Sequence, residues 1–468
     1  MGLEAAIHDI LESQWAHQAF HPVQTGYDKL GQDFVRVEDC LTRCRSSQPM
    51  PTCKEFYDFL MVPTKLAFLS GRVHFSILTF DDEANKTKRK LQTMLKRMKQ
   101  QEQAKKEQQE PLFPYPDDIR VEDQGVVDAA TGEVLPFHFS RFCRNKKRHL
   151  KLLYLYLEEK MKHDPDIDKE HVVIHEYCST GPTVIPSWPS ALKEPDSLLH
   201  DHSEGDPSSV FWSQLLCRSI PVAVYTTDTD VIAIFAFLVA SLTQEEREKT
   251  KILWFNSRDK AVDVVQMILQ ACRSLCITPE LFALGCILCQ TDYNQEKHSY
   301  AHGFGELHLF YALKELNSFM DPLLQYGKEY VEPDPEAFVV PLDSDEHVDF
   351  SYAEVRQEAE VAFDAFCRFL HRGIPSRKEV REEMQALKPY EMPCDTMKMK
   401  KPGSNKRKLV EIQDVPTWDN IRNLKRLSSS KSAATLPAVA TSQETLRYVL
   451  DGILWNYHFW QRAIVTKD

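Results

Sequence analysis

Six acidic positions stand at the ends of apolar runs or at the starts of helical ones. Asp81, in the pair Asp81-Asp82, directly follows the run 73–80; Glu204 and Asp206 sit in S-E-G-D-P-S-S; Asp228 and Asp230 sit in T-T-D-T-D-V; Asp292 sits in T-D-Y. Carboxylates drawn within a few ångströms of one another repel, and they stay ionised together only around cations. A donor set made of oxygen alone selects hard cations, Mg²⁺ or Mn²⁺, and makes a poor zinc site. Two such ions roughly 3.5–4 Å apart generate hydroxide and stabilise the leaving oxygen of an in-line displacement at phosphorus. If the fold gathers these acids, the expected chemistry is phosphodiester hydrolysis with two metal ions.

Each motif also has an ordinary reading. Asp206 before Pro207 suits a helix N-cap followed by proline at the first helical position. Asp230 suits a cap for a helix that begins at Val231, D-x-D suits a turn, Asp81-Asp82 a solvated strand end, and Asp292 a surface acid. What separates the readings is convergence, and convergence depends on the elements that carry the acids.

Residues 73–80, 172–177, 222–227 and 251–256 are short runs rich in β-branched and aromatic residues, each followed by polar loop signals. Helical patterns lie between them, for example over 210–216 and 261–275, and this alternation predicts a parallel sheet covered on both faces. All strands of such a sheet end on one edge, where ligands bind. Acids from three strand ends would therefore meet. Residues 1–320 read as one α/β unit and 321–397 as a mixed helical extension. Residues 398–443 turn basic and then Ser/Ala-rich, a linker composition unable to bury a core. The aromatic segment 444–468 should return as a helix onto the body.

Composition narrows the classes. With 57 Lys+Arg against 69 Asp+Glu the formal charge is −12, so no basic field covers the whole molecule and a nucleic acid would have to be met by local patches. One such patch is 86–110, with nine Lys/Arg against three Glu, read as an exposed basic helix or arch; another is 141–151, R-F-C-R-N-K-K-R-H-L-K. The longest uncharged apolar run, 231–240, is far short of the roughly 20 residues a membrane helix needs, and the N-terminus lacks the basic start and apolar core of a signal peptide. The expectation is an intracellular protein with no membrane partner. Short clusters at Lys400-Lys401 and Lys406-Arg407-Lys408 favour the nucleus over the cytoplasm. Twelve scattered cysteines read as buried thiols, and no histidine metal site is expected.

The order of motifs, M-G-L at the start, F-D-D before a Lys/Arg-rich helix, S-E-G-D-P-S-S, T-T-D-T-D-V, and L-G-C-I-L-C-Q-T-D-Y-N before H-G-F-G-E-L-H-L-F, resembles the 5′-nuclease superfamily with a PIN-like core: flap endonucleases, XPG nucleases and 5′→3′ exoribonucleases. The resemblance covers about 1–320. It implies a three-layer α/β fold with a helical arch and a helix-two-turn-helix at about 279–316. It also implies a two-metal nuclease acting near 5′ ends of DNA flaps or branches, or of RNA, with a replication, repair or RNA-decay protein as a further partner. By the same resemblance, Asp81, Glu204 and Asp206 match ligands of the first ion, and Asp228, Asp230 and Asp292 surround the second. Lys88, Lys96 and Arg97, with Gln92, stand where the family places phosphate-holding cations. The family's first acid, at the end of the first strand, falls at Glu38 or at Asp39. Glu306-Leu307-His308 replaces the basic residues that follow G-F-G in flap endonucleases, which weakens a duplex grip. The competing reading is a catalytically silent member of the same fold that serves as a nucleic-acid-binding or scaffold module.

Overall fold

The computed structural model describes residues 7, 20–21, 33–40, 44, 50–80, 85–86, 115–142, 147–167, 170–176, 182–188, 204–255, 261–289, 291, 293, 300–301, 306–331, 340–341, 356–371, 396–400, 407–411 and 443–464. Its centre is an eight-stranded sheet of β1 (Phe20–His21), β2 (Phe34–Asp39), β3 (Val73–Thr79), β4 (Val172–Glu176), β5 (Pro182–Ile185), β6 (Val222–Tyr225), β7 (Ile252–Phe255) and β8 (Ala261–Asp263), in the order β1-β8-β7-β6-β2-β3-β4-β5. The five inner strands β7-β6-β2-β3-β4 are mutually parallel, and the outer ones join antiparallel. From β2 the chain moves outward through β3 to β4, then returns to place β6 on the other side of β2. The β2/β6 boundary is therefore the topological switch of the sheet, where the carboxyl ends of parallel strands open a crevice.

The two faces of the sheet are distinguished by the alternation of side chains along each strand. Val35, Val37, Ile77, Val222, Val224, Ile252 and Trp254 enter the larger core, while Phe34, Val73, Leu78, Val173 and Ala223 enter a second one. On the first face lie α3 (Gly205–Leu216), α4 (Asp230–Ser241), α6 (Val264–Leu275), α7 (Pro279–Leu288), α8 (Glu306–Leu316), α9 (Asp321–Lys328), α10 (Gln357–His371) and α11 (Gln443–Gln461). On the second lie α1 (Cys53–Leu69), α2 (Lys147–Lys162) and a three-stranded antiparallel sheet of Ile119–Glu122, Gly125–Asp128 and Val134–Leu135. A short helix, α5 (Gln244–Lys249), joins α4 to β7 and starts at a capping box between Thr243 and Glu246.

The local signals account for the helices. α4 is apolar all round and is buried from Val231 to Val239, as a helix without a polar face must be; α3, α6, α7 and α11 surround it. α7 starts at Thr278, whose hydroxyl accepts from Leu281 N–H, with Pro279 next. The stretch 261–275, read from its pattern as one helix, divides: Ala261–Asp263 pairs with β7, and Asp263 then caps α6 by accepting from Gln266 N–H at 3.1 Å. Three residues are too few for a strand period to be distinguished from the first turn of a helix. Part of the stretch expected to be a linker forms a ladder instead, Thr396–Lys400 against Arg407–Glu411, consistent with the alternation in T-M-K-M-K.

The larger core does not stop at residue 320. Phe363, Phe366 and Leu370 of α10, and Ile453, Trp455 and Trp460 of α11, belong to the same cluster as Val35 and Val224. No single helix among the described residues is long and apolar enough to cross a membrane. The described cysteines 40, 44, 53, 217, 272, 276, 286, 289 and 367 are free thiols, all buried except Cys276.

Candidate active site

Asp39 ends β2 on the face that carries α3 and α4, in register with Val35 and Val37; Glu38, one residue earlier, faces the other way. There Glu38 is buried and ion-paired with the equally buried Arg36, 2.5 Å away, whose second nitrogen reaches Thr64 and Ser76 at 3.3 Å each. The Arg36 guanidinium also lies 4.8 Å over the Tyr225 ring. The alternative between the two acids thus acquires a geometric answer, because a one-residue step along a strand exchanges faces. Asp39 is on the side of the other acids, and Glu38 neutralises a buried arginine.

Across the β2/β6 switch, the Thr226 hydroxyl donates to Asp39 Oδ2 at 3.3 Å and accepts from Asp228 N–H at 3.1 Å. Thr226 carbonyl accepts from the Trp254 indole at 3.1 Å, which pins the turn to β7. Asp228 Oδ1 in turn accepts from Asp230 N–H at 3.0 Å. The D-x-D is therefore a real turn, but Asp230 is not the expected cap: it is the first residue of α4, and Thr229, the residue in the cap position, makes no side-chain cap bond. Asp228 is exposed, while Asp39 and Asp230 are half-buried.

α3 arrives at the same edge. Thr79, the last residue of β3 and the register partner of Asp39, has its hydroxyl 2.9 Å from Ser209 Oγ and 3.4 Å from Gly205 carbonyl. This seats the helix N-terminus over the ends of β2 and β3. Glu204 occupies the N-cap position without a side-chain cap bond, and Asp206 lies in the first turn. The capping reading of Asp206 is thus replaced: the chain enters the helix two residues earlier, at Gly205 instead of Pro207. Negative charge in a first turn faces the positive end of the helix dipole, which lowers the cost of holding Glu204 and Asp206 together. Glu204 is 3% exposed and accepts a hydrogen bond at Oε2 from the Tyr293 hydroxyl.

Thr291 and Tyr293, which flank Asp292, are both held: the Thr291 hydroxyl donates to Asn456 Oδ1 at 2.7 Å and accepts from Tyr293 N–H at 3.2 Å. Asp292 itself lies outside the described residues, as do Asp81, Lys88, Gln92, Lys96, Arg97 and the rest of the expected arch beyond Asn85–Lys86. Asn85–Lys86 pairs with Val340–Pro341.

The described acids share one edge without closing into a cluster: among the described residues, no three His, Cys, Asp or Glu stand together as ligands of one ion. Their chemistry nevertheless fits a hard divalent cation. Asp39, Glu204, Asp206, Asp228 and Asp230 supply oxygen donors only, carried on a sheet edge and a helix N-terminus.

The expected helix-two-turn-helix, at about 279–316, is described at its two helices. Helices α7 and α8 do form a packed pair, with Gly285 against Phe310 and Leu313, where a Cβ would overlap the Phe310 ring. α7 is buried from Leu281 to Leu288. Gly303-Phe304-Gly305 lies outside the described residues. In the basic patch 141–151, Arg141 stacks on Tyr115 at 3.9 Å and Arg148 pairs with Asp118 at 2.6 Å, so both cations have structural partners.

The residues that sequence reasoning missed are the neutral ones: Thr79, Thr226, Tyr293 and Asn456. Thr79 and Thr226 are the residues at strand ends just before the acids, and Tyr293 follows Asp292 directly, so adjacency was the available signal. Asn456 lies in the aromatic segment 444–468, whose composition announces a packing helix but not a polar contact.

No family model matches this chain, and no curated protein sequence matches it. Among solved structures, the catalytic core of Rad2 in complex with DNA substrate is similar at 11% identity with a TM-score of 0.32, over 80% of this chain and 87% of that one.

Proposed function

We propose that this chain is a metal-dependent 5′ nuclease of the PIN-like kind, hydrolysing phosphodiester bonds near the 5′ ends of DNA flaps or branches, or of RNA. The observation that carries the proposal is the Asp39–Thr226–Asp228 link across the β2/β6 switch, with the Glu204-Gly205-Asp206 helix start docked on Thr79 at the same edge. A ligand crevice is expected at this point of a parallel sheet, and five carboxylates border it.

Asp39, Glu204, Asp206, Asp228 and Asp230, with Asp81 and Asp292 completing the set, would hold Mg²⁺ or Mn²⁺. When bound, two such ions activate water and offset the charge on the leaving oxygen. The chain's own contribution is orientation. Thr226 fixes Asp39 and Asp228 relative to each other, Thr79 and Ser209 fix the helix start, and Tyr293 fixes Glu204. Lys88, Lys96 and Arg97 would neutralise the phosphate being cut or a 5′ phosphate, which acts on the reacting geometry.

One observation favours the second reading, a silent binding or scaffold module: the described acids do not close around a point. The test compares a 5′-labelled flap DNA with a 5′-phosphorylated RNA, each with Mg²⁺ or Mn²⁺ and with excess EDTA, for the wild type and Asp228→Asn. Cleavage by the wild type alone, abolished by EDTA, is expected. Binding without cleavage under every condition would assign the chain to the silent class.

A further inference from the structure

We infer that Tyr293 is a positioning residue for Glu204 and that the C-terminal helix α11 sets the active-site edge through it. This rests on the nuclease reading above and goes beyond it, because it assigns catalytic importance to a neutral side chain and to a helix some 240 residues away in sequence. The Tyr293 hydroxyl donates to Glu204 Oε2, and both residues are buried, Glu204 at 3% and Tyr293 at 9% exposure. A buried carboxylate that accepts a bond from a fixed hydroxyl has few orientations left.

The hydroxyl is fixed because its ring is. Tyr293 lies 5.3 Å from Trp455, 5.4 Å from Phe459 and 6.3 Å edge-on from Trp460, all on α11; Trp455 and Phe459 stack on each other at 5.0 Å. One turn of that helix also carries Asn456, which is fully buried and accepts from the Thr291 hydroxyl at 2.7 Å. The segment from Thr291 to Tyr293 is therefore held at both ends by α11, and its far side orients Glu204. Three aromatic rings and an amide of α11 thus meet Thr291 and Tyr293.

Groups that orient metal ligands from behind typically change metal affinity or activity about 10–100-fold when removed. Mn²⁺ binding to the full chain, followed by calorimetry, reads this without an activity assay. Tyr293→Phe keeps the ring in its cage and should weaken Mn²⁺ about 10–100-fold with little change in thermal midpoint. In a Glu204→Gln background the same substitution should add less than about twofold, because its route to the metal is already cut. Thr291→Val, which removes the bond to Asn456, should weaken Mn²⁺ in the same direction and carries the test if Tyr293→Phe fails to fold.

Equal Mn²⁺ affinity of wild type and Tyr293→Phe would overturn the inference and leave the nuclease reading standing. An equal loss in both backgrounds would also overturn it, since Tyr293 would then act through another group. A wild type that neither binds Mn²⁺ nor cleaves would overturn the nuclease reading, and this inference with it.

Discussion

The step between Glu38 and Asp39 shows how one residue's parity decides its role. Both are acids at the end of the same strand, and only the pairing of β2 with β3 and β6 tells which faces α3. Arg36, buried at 1% exposure, has Glu38 as its counter-charge. Breaking a buried ion pair from one side leaves an uncompensated charge and costs about 3–5 kcal/mol. Glu38→Gln and Arg36→Met should therefore lower the unfolding free energy by that much, whereas Asp39→Asn, whose amide oxygen can still accept from the Thr226 hydroxyl, should cost about 1 kcal/mol or less. Activity should divide in the opposite sense: Asp39→Asn abolishes metal-dependent cleavage, and Glu38→Gln, assayed where it is folded, retains it. Denaturant curves and single-turnover rates on these two variants check both halves. A folded Asp39→Asn that cleaves at the wild-type rate would remove Asp39 from the site. The identity of this acid was not legible in F-V-R-V-E-D, since alternation gives two faces but not which one the later helices cover.

At the scale of elements, the strands over 73–80, 172–177, 222–227 and 251–256 were legible to within two residues because β-branched runs bounded by polar loops have no competing helical period. The three-stranded sheet over 119–135 was not. Its strands are four residues or fewer, and their alternation is interrupted by the acids Glu122 and Asp128 that end two of them. Two further predictions belong here. His175 lies in β4 between Leu78 of β3 and Thr183 of β5 and is 1% exposed. Burial, and secondarily the charge of Lys162, hold its pKa down to about 3 from 6.5. Its folded pKa is thus depressed, so the unfolded chain takes up a proton that the folded chain refuses. Stability from this group is complete above about pH 6.5 and falls as the pH drops toward 3, by about 2 kcal/mol between pH 7.5 and pH 5. His175→Leu should lack that part of the acid sensitivity, read as the difference in urea midpoints at the two pH values, and an unchanged difference would count against it. Gly285 tests the other face of the architecture. Any Cβ there meets Phe310 and Leu313, so Gly285→Ala should separate α7 from α8 and cost roughly 1–3 kcal/mol by overpacking. A thermal midpoint equal to wild type would mean that α8 yields freely.

The whole molecule joins an acidic edge to a surface whose charge is net negative, and this governs how a polyanion could approach it. With a formal charge of −12, long-range attraction is absent, and encounter depends on cations close to the crevice. In the patch 141–151, Arg141 and Arg148 already have structural partners. The basic stretch 86–110, six charges net positive from nine Lys/Arg and three Glu, is another source, and it begins just after the β3 end that bears Thr79. The sequence made this stretch legible by composition, the order of the acids made the edge legible, and the aromatic run 444–468 made the return of α11 onto the core legible; the part that α10 takes in that core was hidden, because contacts so distant in sequence leave no local pattern. If Lys88, Lys96 and Arg97 each neutralise a phosphate, replacing all three by Gln should reduce the slope of log Kobs against log [salt] by about 2–3 for duplex DNA, since each contact contributes about 0.9. The affinity loss should be large at low salt and shrink as salt rises, while the thermal midpoint stays within a degree or two, as exposed cations contribute little to folding. Fluorescence anisotropy with a labelled flap, across a salt series and with Ca²⁺ to prevent cleavage, measures the slope directly. A slope unchanged from wild type would mean that these three cations face bulk water and that the substrate is held elsewhere along the edge.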